Sequence, residues 1–126
     1  MPTPQKVHVM KQEGGLRSLP DYVEVNIETE LPKVTVITVT YNAAEYVERT
    51  IKSIINQSYA NTEFIVVDGG STDGTVDTLW KYNDYIDYWV SEADNGLYHA
   101  MNKGLKLGSG EYVWFVNAGD EIFDLD

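Results

Sequence analysis

From Lys33 to the end of the chain at Asp126, β-branched and aromatic runs alternate with segments whose apolar residues recur at helical spacing. KVTVITVTY, EFIVVD, YIDYWVSE and EYVWFVN read as strands. Between the first two, EYVERTIKSIINQSY puts Val47, Ile51, Ile54, Ile55 and Tyr59 on one helical face. Asn42, followed three residues later by Glu45, matches a capping box and predicts that this helix begins at Asn42. TVDTLWKY is expected to turn Val76, Leu79 and Trp80 inward. GLYHAMNKGLKLG is expected to do the same with Leu97, Met101 and Leu105 and to stop at Gly108. The strands are nearly continuous apolar runs, as strands covered on both faces are. The predicted class is α/β: an open, mainly parallel sheet with helices on both faces and right-handed crossovers.

Residues 1–32 differ in texture. Their prolines, charges and the Gly14-Gly15 pair describe an arm, within which Val23, Val25 and Ile27 alternate with Glu24, Asn26 and Glu28 as in a half-exposed edge strand. Residues 33–126 form the expected domain. At 126 residues the chain fits one domain with a real core.

Composition removes several function classes. With no cysteine there is neither a disulfide framework nor a thiolate zinc site, and His8 and His99 are the only imidazoles. A formal charge of −11 argues against binding a nucleic-acid backbone. An anionic ligand must be held by helix N-termini, backbone N–H groups or a divalent cation. No run approaches a membrane span and the N-terminus lacks a signal-peptide core, so a cytoplasmic location is expected, at a membrane face if further segments anchor it.

In open parallel sheets ligands sit beyond the carboxyl ends of the strands. Those ends read Thr40-Tyr41-Asn42, Asp68-Gly69-Gly70-Ser71, Glu92-Ala93-Asp94-Asn95-Gly96 and Asn117-Ala118-Gly119-Asp120. All four are polar and belong on one rim. Asp68 is delivered there by a strand, and as the carboxylate just past an apolar run it suits hydrogen bonding to a base N–H or to ribose hydroxyls. Asp73 suits a turn or helix cap. Other ligand motifs fail here. Gly69 and Gly74 have P-loop spacing but Thr75-Val76 follows, no GxGxxG succeeds the first strand, and the calcium-loop positions after Asp68 hold Gly70, Asp73 and Leu79. A receiver-like signalling domain needs paired acids after the first strand, where Thr40-Tyr41-Asn42 stands.

VTVITVTYNAAEYVERTIKSIINQSYANTEFIVVDGGSTDGT, then SEADNGLYHAMNKGL and YVWFVNAGDEIF, together resemble the nucleotide-sugar-binding half of the family-two glycosyltransferases of GT-A fold, over Val34 to Phe123. The resemblance implies that Thr40, Tyr41 and Asn42 contact base and ribose, that Asp68 binds base or ribose, and that Ser71 and Asp73 shape their loop. It implies that Asp94, Asn95 and Gly96 border the sugar diphosphate and that Asn102 faces the pocket. Met101 stands where the family pattern has an arginine, and Lys103, two residues on, points about 200° away around a helix. His99 is expected to be a polar surface residue. Where the family has a DxD-like cluster for Mg²⁺ or Mn²⁺, only Asp120 keeps a carboxylate, with Asn117 as a neutral helper.

The implied chemistry is transfer of a sugar from a nucleoside diphosphate sugar, a UDP sugar first, to a carbohydrate or lipid-linked acceptor hydroxyl with inversion, as in polysaccharide assembly. The family's catalytic base lies downstream of the DxD segment. The expectation is therefore that these residues are the donor-binding part of a longer or partner-completed enzyme and transfer little alone. The competing class is a noncatalytic nucleotide-binding or interaction module on the same fold.

Overall fold

The computed structural model describes residues 10–22 and 31–118. The expected edge strand at Val23, Val25 and Ile27 lies outside the described residues, as do His8 and Asp120. Strands β1 (Gln12–Gly14), β2 (Val34–Thr40), β3 (Thr62–Asp68), β4 (Tyr88–Ser91) and β5 (Tyr112–Phe115) alternate with helices α1 (Val47–Ile55), α2 (Thr75–Lys81) and α3 (Leu97–Leu107) once β2 begins. The sheet order is β1-β4-β3-β2-β5. Strands β2 to β5 run parallel, and short β1 adds an antiparallel edge to β4. The fold is thus an α/β mixed, mostly parallel sheet. Sequence pattern gave no sign of β1, because three residues are too few to show an alternation.

Helices cover both faces. Even-numbered residues of the central strands, Val36, Phe64 and Val66, pack with Val47, Ile51 and Ile54 of α1, Val76 and Leu79 of α2, and Trp89. Odd-numbered Ile65 and Val67 pack with Val90 and Ala100 of α3. Each fully buried Ile, Leu or Val contributes about 1.5–3 kcal/mol of transfer free energy, which is why two-sided coverage of such strands decides the architecture.

Three local expectations are corrected. Helix α1 begins at Val47, not Asn42, because Asn42 has φ 45° and cannot start a right-handed helix. Trp80 is 49% exposed and meets Trp89 edge to face at 4.9 Å instead of entering the core. In α3 the buried residues are Ala100 and Gly104, while Leu97 and Leu105 face outward. The cause is close approach to β2: a Cβ on Gly104 would fall 2.5 Å from Ile37 Cγ2. Small residues permit that contact and leucine does not.

At the amino ends of the strands, away from the rim, a buried carboxylate ties the arm to the sheet. Glu63 Oε1 accepts hydrogen bonds from Thr35 Oγ1 at 2.9 Å and the Ser109 amide at 2.8 Å. Its Oε2 pairs with Arg17, which also donates to the Leu107 carbonyl at 3.0 Å.

Gly104→Ala is expected to lower stability, because overpacking against Ile37 costs about 1–3 kcal/mol and helix propensity returns at most about 1 kcal/mol. Thermal unfolding checks the sign; an unchanged or raised Tm contradicts the tight α3–β2 contact.

Candidate functional site

Parallel register brings three strand ends to one level: Thr40 lies opposite Asp68, and Asp68 opposite Ser91. The Asp68 carboxylate binds them together. Oδ1 accepts from Thr40 Oγ1 and from Ser71 Oγ, both at 2.6 Å. Oδ2 accepts from Ser91 Oγ at 2.7 Å and from the Ser71 and Gly70 amides at 2.8 and 3.1 Å. Asp68 has 0% exposure. Its acceptor capacity is spent on its own protein, and Gly70 reaches the turn that this requires with φ 86°.

The loop after β3 in turn holds the loop after β2. The Asn42 amide donates to Ser71 Oγ at 2.7 Å and Asn42 Oδ1 accepts from the Thr72 amide at 2.9 Å. Asn42 therefore stitches two rim loops together instead of capping its own helix. The capping duty passes to the neighbouring loop, with the Ala43 amide donating to Thr75 Oγ1 at 2.9 Å and the Ala44 amide to Asp73 Oδ2 at 3.1 Å. Asp73 Oδ1 also accepts from the Thr75 amide and hydroxyl. Partial burial raises the Asp73 pKa, but the Thr75 and Ala44 hydrogen bonds outweigh it and hold the carboxyl below its ordinary value.

Above this frame opens a cleft of roughly 720 Å³. Of the residues expected at the site, Thr40, Tyr41, Asn42, Asp94, Gly96 and Asn117 line it. Tyr41 presents its ring, 66% exposed. Asp68 lies beneath the lining, and Gly69 takes the cleft position beside it. Asn95 and Asn102 are exposed and outside the lining. The Asn95 amide donates to His99 Nδ1 at 2.9 Å, so His99 braces the loop before α3. Lys103 pairs with Glu92 at 3.0 Å and is likewise outside the lining. Tyr46, Leu97 and Ala100 line the cleft without having been anticipated. Helical spacing marked Leu97 as core, whereas α3 turns Ala100 and Gly104 to the sheet and leaves Leu97 at the cleft.

No three His, Cys, Asp or Glu side chains gather as a metal site among the described residues. Among the oxygen-bearing side chains that line the cleft are Asn117, after β5, and Asp94, on the β4 side. These are hard oxygen donors, compatible with a Mg²⁺-type ion that takes few protein ligands and completes its shell from phosphates and water.

Asp68→Ala would strand several buried donors at once, and a loss of about 3 kcal/mol or more in chemical denaturation is expected. Asp73 contributes to the acid side of the pH dependence. Because its folded pKa is depressed, it adds stability above its unfolded value of 3.8 that is lost as pH falls through the folded value. Asp73→Asn should flatten the stability profile below about pH 4; an unchanged acid limb contradicts the capping role.

Comparison with known proteins gives the same region an identity. The model of the family described as glycosyl transferase family 2 matches residues 35–124. An uncharacterized glycosyltransferase of Mycobacterium tuberculosis is 42% identical over 95 residues, 75% of this chain and 36% of that protein. A GalNAc(5)-diNAcBac-PP-undecaprenol beta-1,3-glucosyltransferase of Campylobacter jejuni is 38% identical over 96 residues, covering 73% of this chain and 31% of that one. The chain thus spans about a third of the length of these relatives. Among solved structures, the mannosyltransferase PcManGT of Pyrobaculum calidifontis, in complex with GDP-Man and Mn²⁺, superposes with a TM-score of 0.67 at 36% identity, over 72% of this chain and 28% of its own. TarS of S. aureus in complex with UDP-GlcNAc superposes at 0.64 and 31% identity, over 71% and 27%. By sequence over most of its length and by fold, this chain belongs to glycosyltransferase family 2, with the GT-A architecture.

Proposed function

We propose that this chain forms the donor-binding part of a glycosyltransferase that moves a sugar from a nucleoside diphosphate sugar, a UDP sugar first, to an acceptor hydroxyl with inversion. The observation that carries the reading is the cleft itself: the ends of β2, β3, β4 and β5 contribute to one polar-rimmed cavity at the carboxyl edge of a parallel sheet, on the segment that matches the family. A mannosyl donor in PcManGT and UDP-GlcNAc in TarS support the ligand class.

In this proposal the exposed Tyr41 ring offers a face for the base, and Thr40 and Asn42 border the ribose. Asp68 keeps the three strand ends in register instead of touching the ligand, because its oxygens already accept five protein donors. Asn117, with Asp120 beyond the described residues, is assigned to Mg²⁺ or Mn²⁺. Such an ion would offset the charge that builds on the leaving diphosphate. A carboxylate base must take the acceptor's proton, and none of the cleft residues is assigned that role. Asn95 and Asn102 are kept only as outer contacts to a longer ligand. We place the protein in the cytoplasm with a carbohydrate or lipid-linked acceptor.

Titration calorimetry with UDP, with and without Mn²⁺, tests the proposal. Binding that strengthens with the cation is expected, and Tyr41→Ala should weaken it roughly tenfold, the value of about one ring-stacking contact. Heatless titrations in both conditions would leave the competing role, an interaction module on the same sheet. The replacement of a carboxylate by Asn117 in the segment after β5 is the feature that favours that alternative.

A further inference from the structure

Residues 10–22 lie outside the segment that matches the family, yet they are fitted closely to it. The Gly14-Gly15 pair, which reads in sequence as part of a loose arm, is a tight contact. A Cβ on Gly14 would fall 2.4 Å from Trp89 Nε1, and one on Gly15, at φ 94°, would fall 2.8 Å from the Ile86 and Asp87 carbonyl oxygens. Asn83 Oδ1 accepts both the Gly15 amide at 2.7 Å and the Trp89 indole N–H at 2.9 Å. The Leu16 and Arg17 amides then donate to the Ile86 and Asp87 carbonyls, each at 2.9 Å. Glycine is what permits this seat, and the seat delivers Arg17 to the amino end of β3.

Arg17 joins two elements there. One guanidinium nitrogen pairs with Glu63, and another donates to the Leu107 carbonyl in the last turn of α3 at 3.0 Å. A planar fork can serve both partners, and its charge complements the negative end of the helix dipole. Ser109, just past the helix, adds its amide and hydroxyl to the same carboxylate at 2.8 and 3.1 Å.

Helix α3 needs such a hold. It buries only Ala100 and Gly104, whereas α1 buries Val47, Thr50, Ile51 and Ile54. Small residues set the height of a helix above a sheet but offer no bulky ridge against sliding. The other end of α3 belongs to the cleft. Gly96, Leu97 and Ala100 line it together with Asp94, whose Oδ1 accepts the Gly96 amide at 3.0 Å. With 11 residues, α3 spans about 16 Å between these two ends.

We propose that Arg17 is a positioning residue for the cleft: by holding the last turn of α3 against Glu63, it fixes where the first turn and the Asp94–Gly96 loop stand. This role rests on the donor-binding reading above and extends it to a stretch of chain that the family match does not include. The brace is closed before a ligand arrives, so UDP binding leaves it still and need not order α3.

Titration with UDP and Mn²⁺, thermal unfolding and ligand-free amide ¹H–¹⁵N spectra test this on the wild type, Arg17→Ala, Arg17→Met/Glu63→Gln and Leu79→Val. The double variant removes the brace without leaving a buried carboxylate short of its partner, and it decides the matter if Arg17→Ala does not fold. Leu79→Val is the control, a buried truncation on α2 that lowers Tm away from α3 and the cleft. Without the brace, a helix that occupies the competent position about a tenth of the time binds UDP roughly tenfold more weakly. The Asn95, Gly96 and Leu97 amides should shift in the same variants without ligand, while Leu79→Val binds UDP as the wild type does. Wild-type affinity in the double variant overturns the proposal, as do unmoved amides at 95–97. An equal loss of affinity in Leu79→Val also overturns it, leaving the arm a contribution to stability alone. If the wild type binds no UDP, the donor-site reading fails by itself, and the three amides then decide the brace: movement upholds it and stillness overturns it.

Discussion

The rim of this protein depends on one buried carboxylate. Asp68 carries 0% exposure and collects hydroxyl donors from β2 and β4 as well as two amides of its own turn. Charge-assisted hydrogen bonds of this kind are about twice as strong as neutral ones, and a buried carboxylate without them would be untenable. The carboxylate thus cannot persist unless three strands end at one level, and the strand ends cannot drift without exposing it. The same rung anchors the turn whose Ser71, Thr72, Asp73 and Thr75 hold Asn42, Ala43 and Ala44 in place.

That frame explains how a chain of charge −11 can be read as binding an anionic ligand. The Asp68 carboxylate lies beneath the cleft lining with its oxygens turned to protein donors, so it is not a surface that a ligand meets. What the cavity presents is the rings of Tyr41 and Tyr46, backbone at Gly69 and Gly96, the asparagines that follow β2 and β5, and the Asp94 carboxylate. Recognition of this kind works through shape and oriented dipoles, and a divalent ion is the natural complement at the phosphate end.

Much of this was legible in the sequence because it rests on burial. Ile65, Val66 and Val67 could belong only to a strand covered on both faces, and the polar ends of four such strands had to share an edge. What escaped depended on distance between elements. Ala100 and Gly104 face inward because α3 approaches Ile37 too closely for leucine, and helical spacing alone cannot reveal how near a helix lies. Asp68 looked like a ligand contact because a strand delivered it to the rim, yet Thr40 and Ser91 at matching strand ends were the sign that it would be consumed internally. Asn42 and Glu45 fitted a capping box, but the left-handed turn at Asn42 passes the cap to Asp73 and Thr75.

The central claim is spatial: loops after β2, β3, β4 and β5 form one ligand surface. An amide ¹H–¹⁵N chemical-shift titration of the chain with UDP addresses it most directly. The account predicts that Tyr41, Gly69, Asp94, Gly96 and Asn117 shift together on one binding curve while the Arg17–Glu63 end of the sheet stays still. Shifts confined to one of these loops, or centred on the opposite end around Glu63 and Ser109, would contradict it.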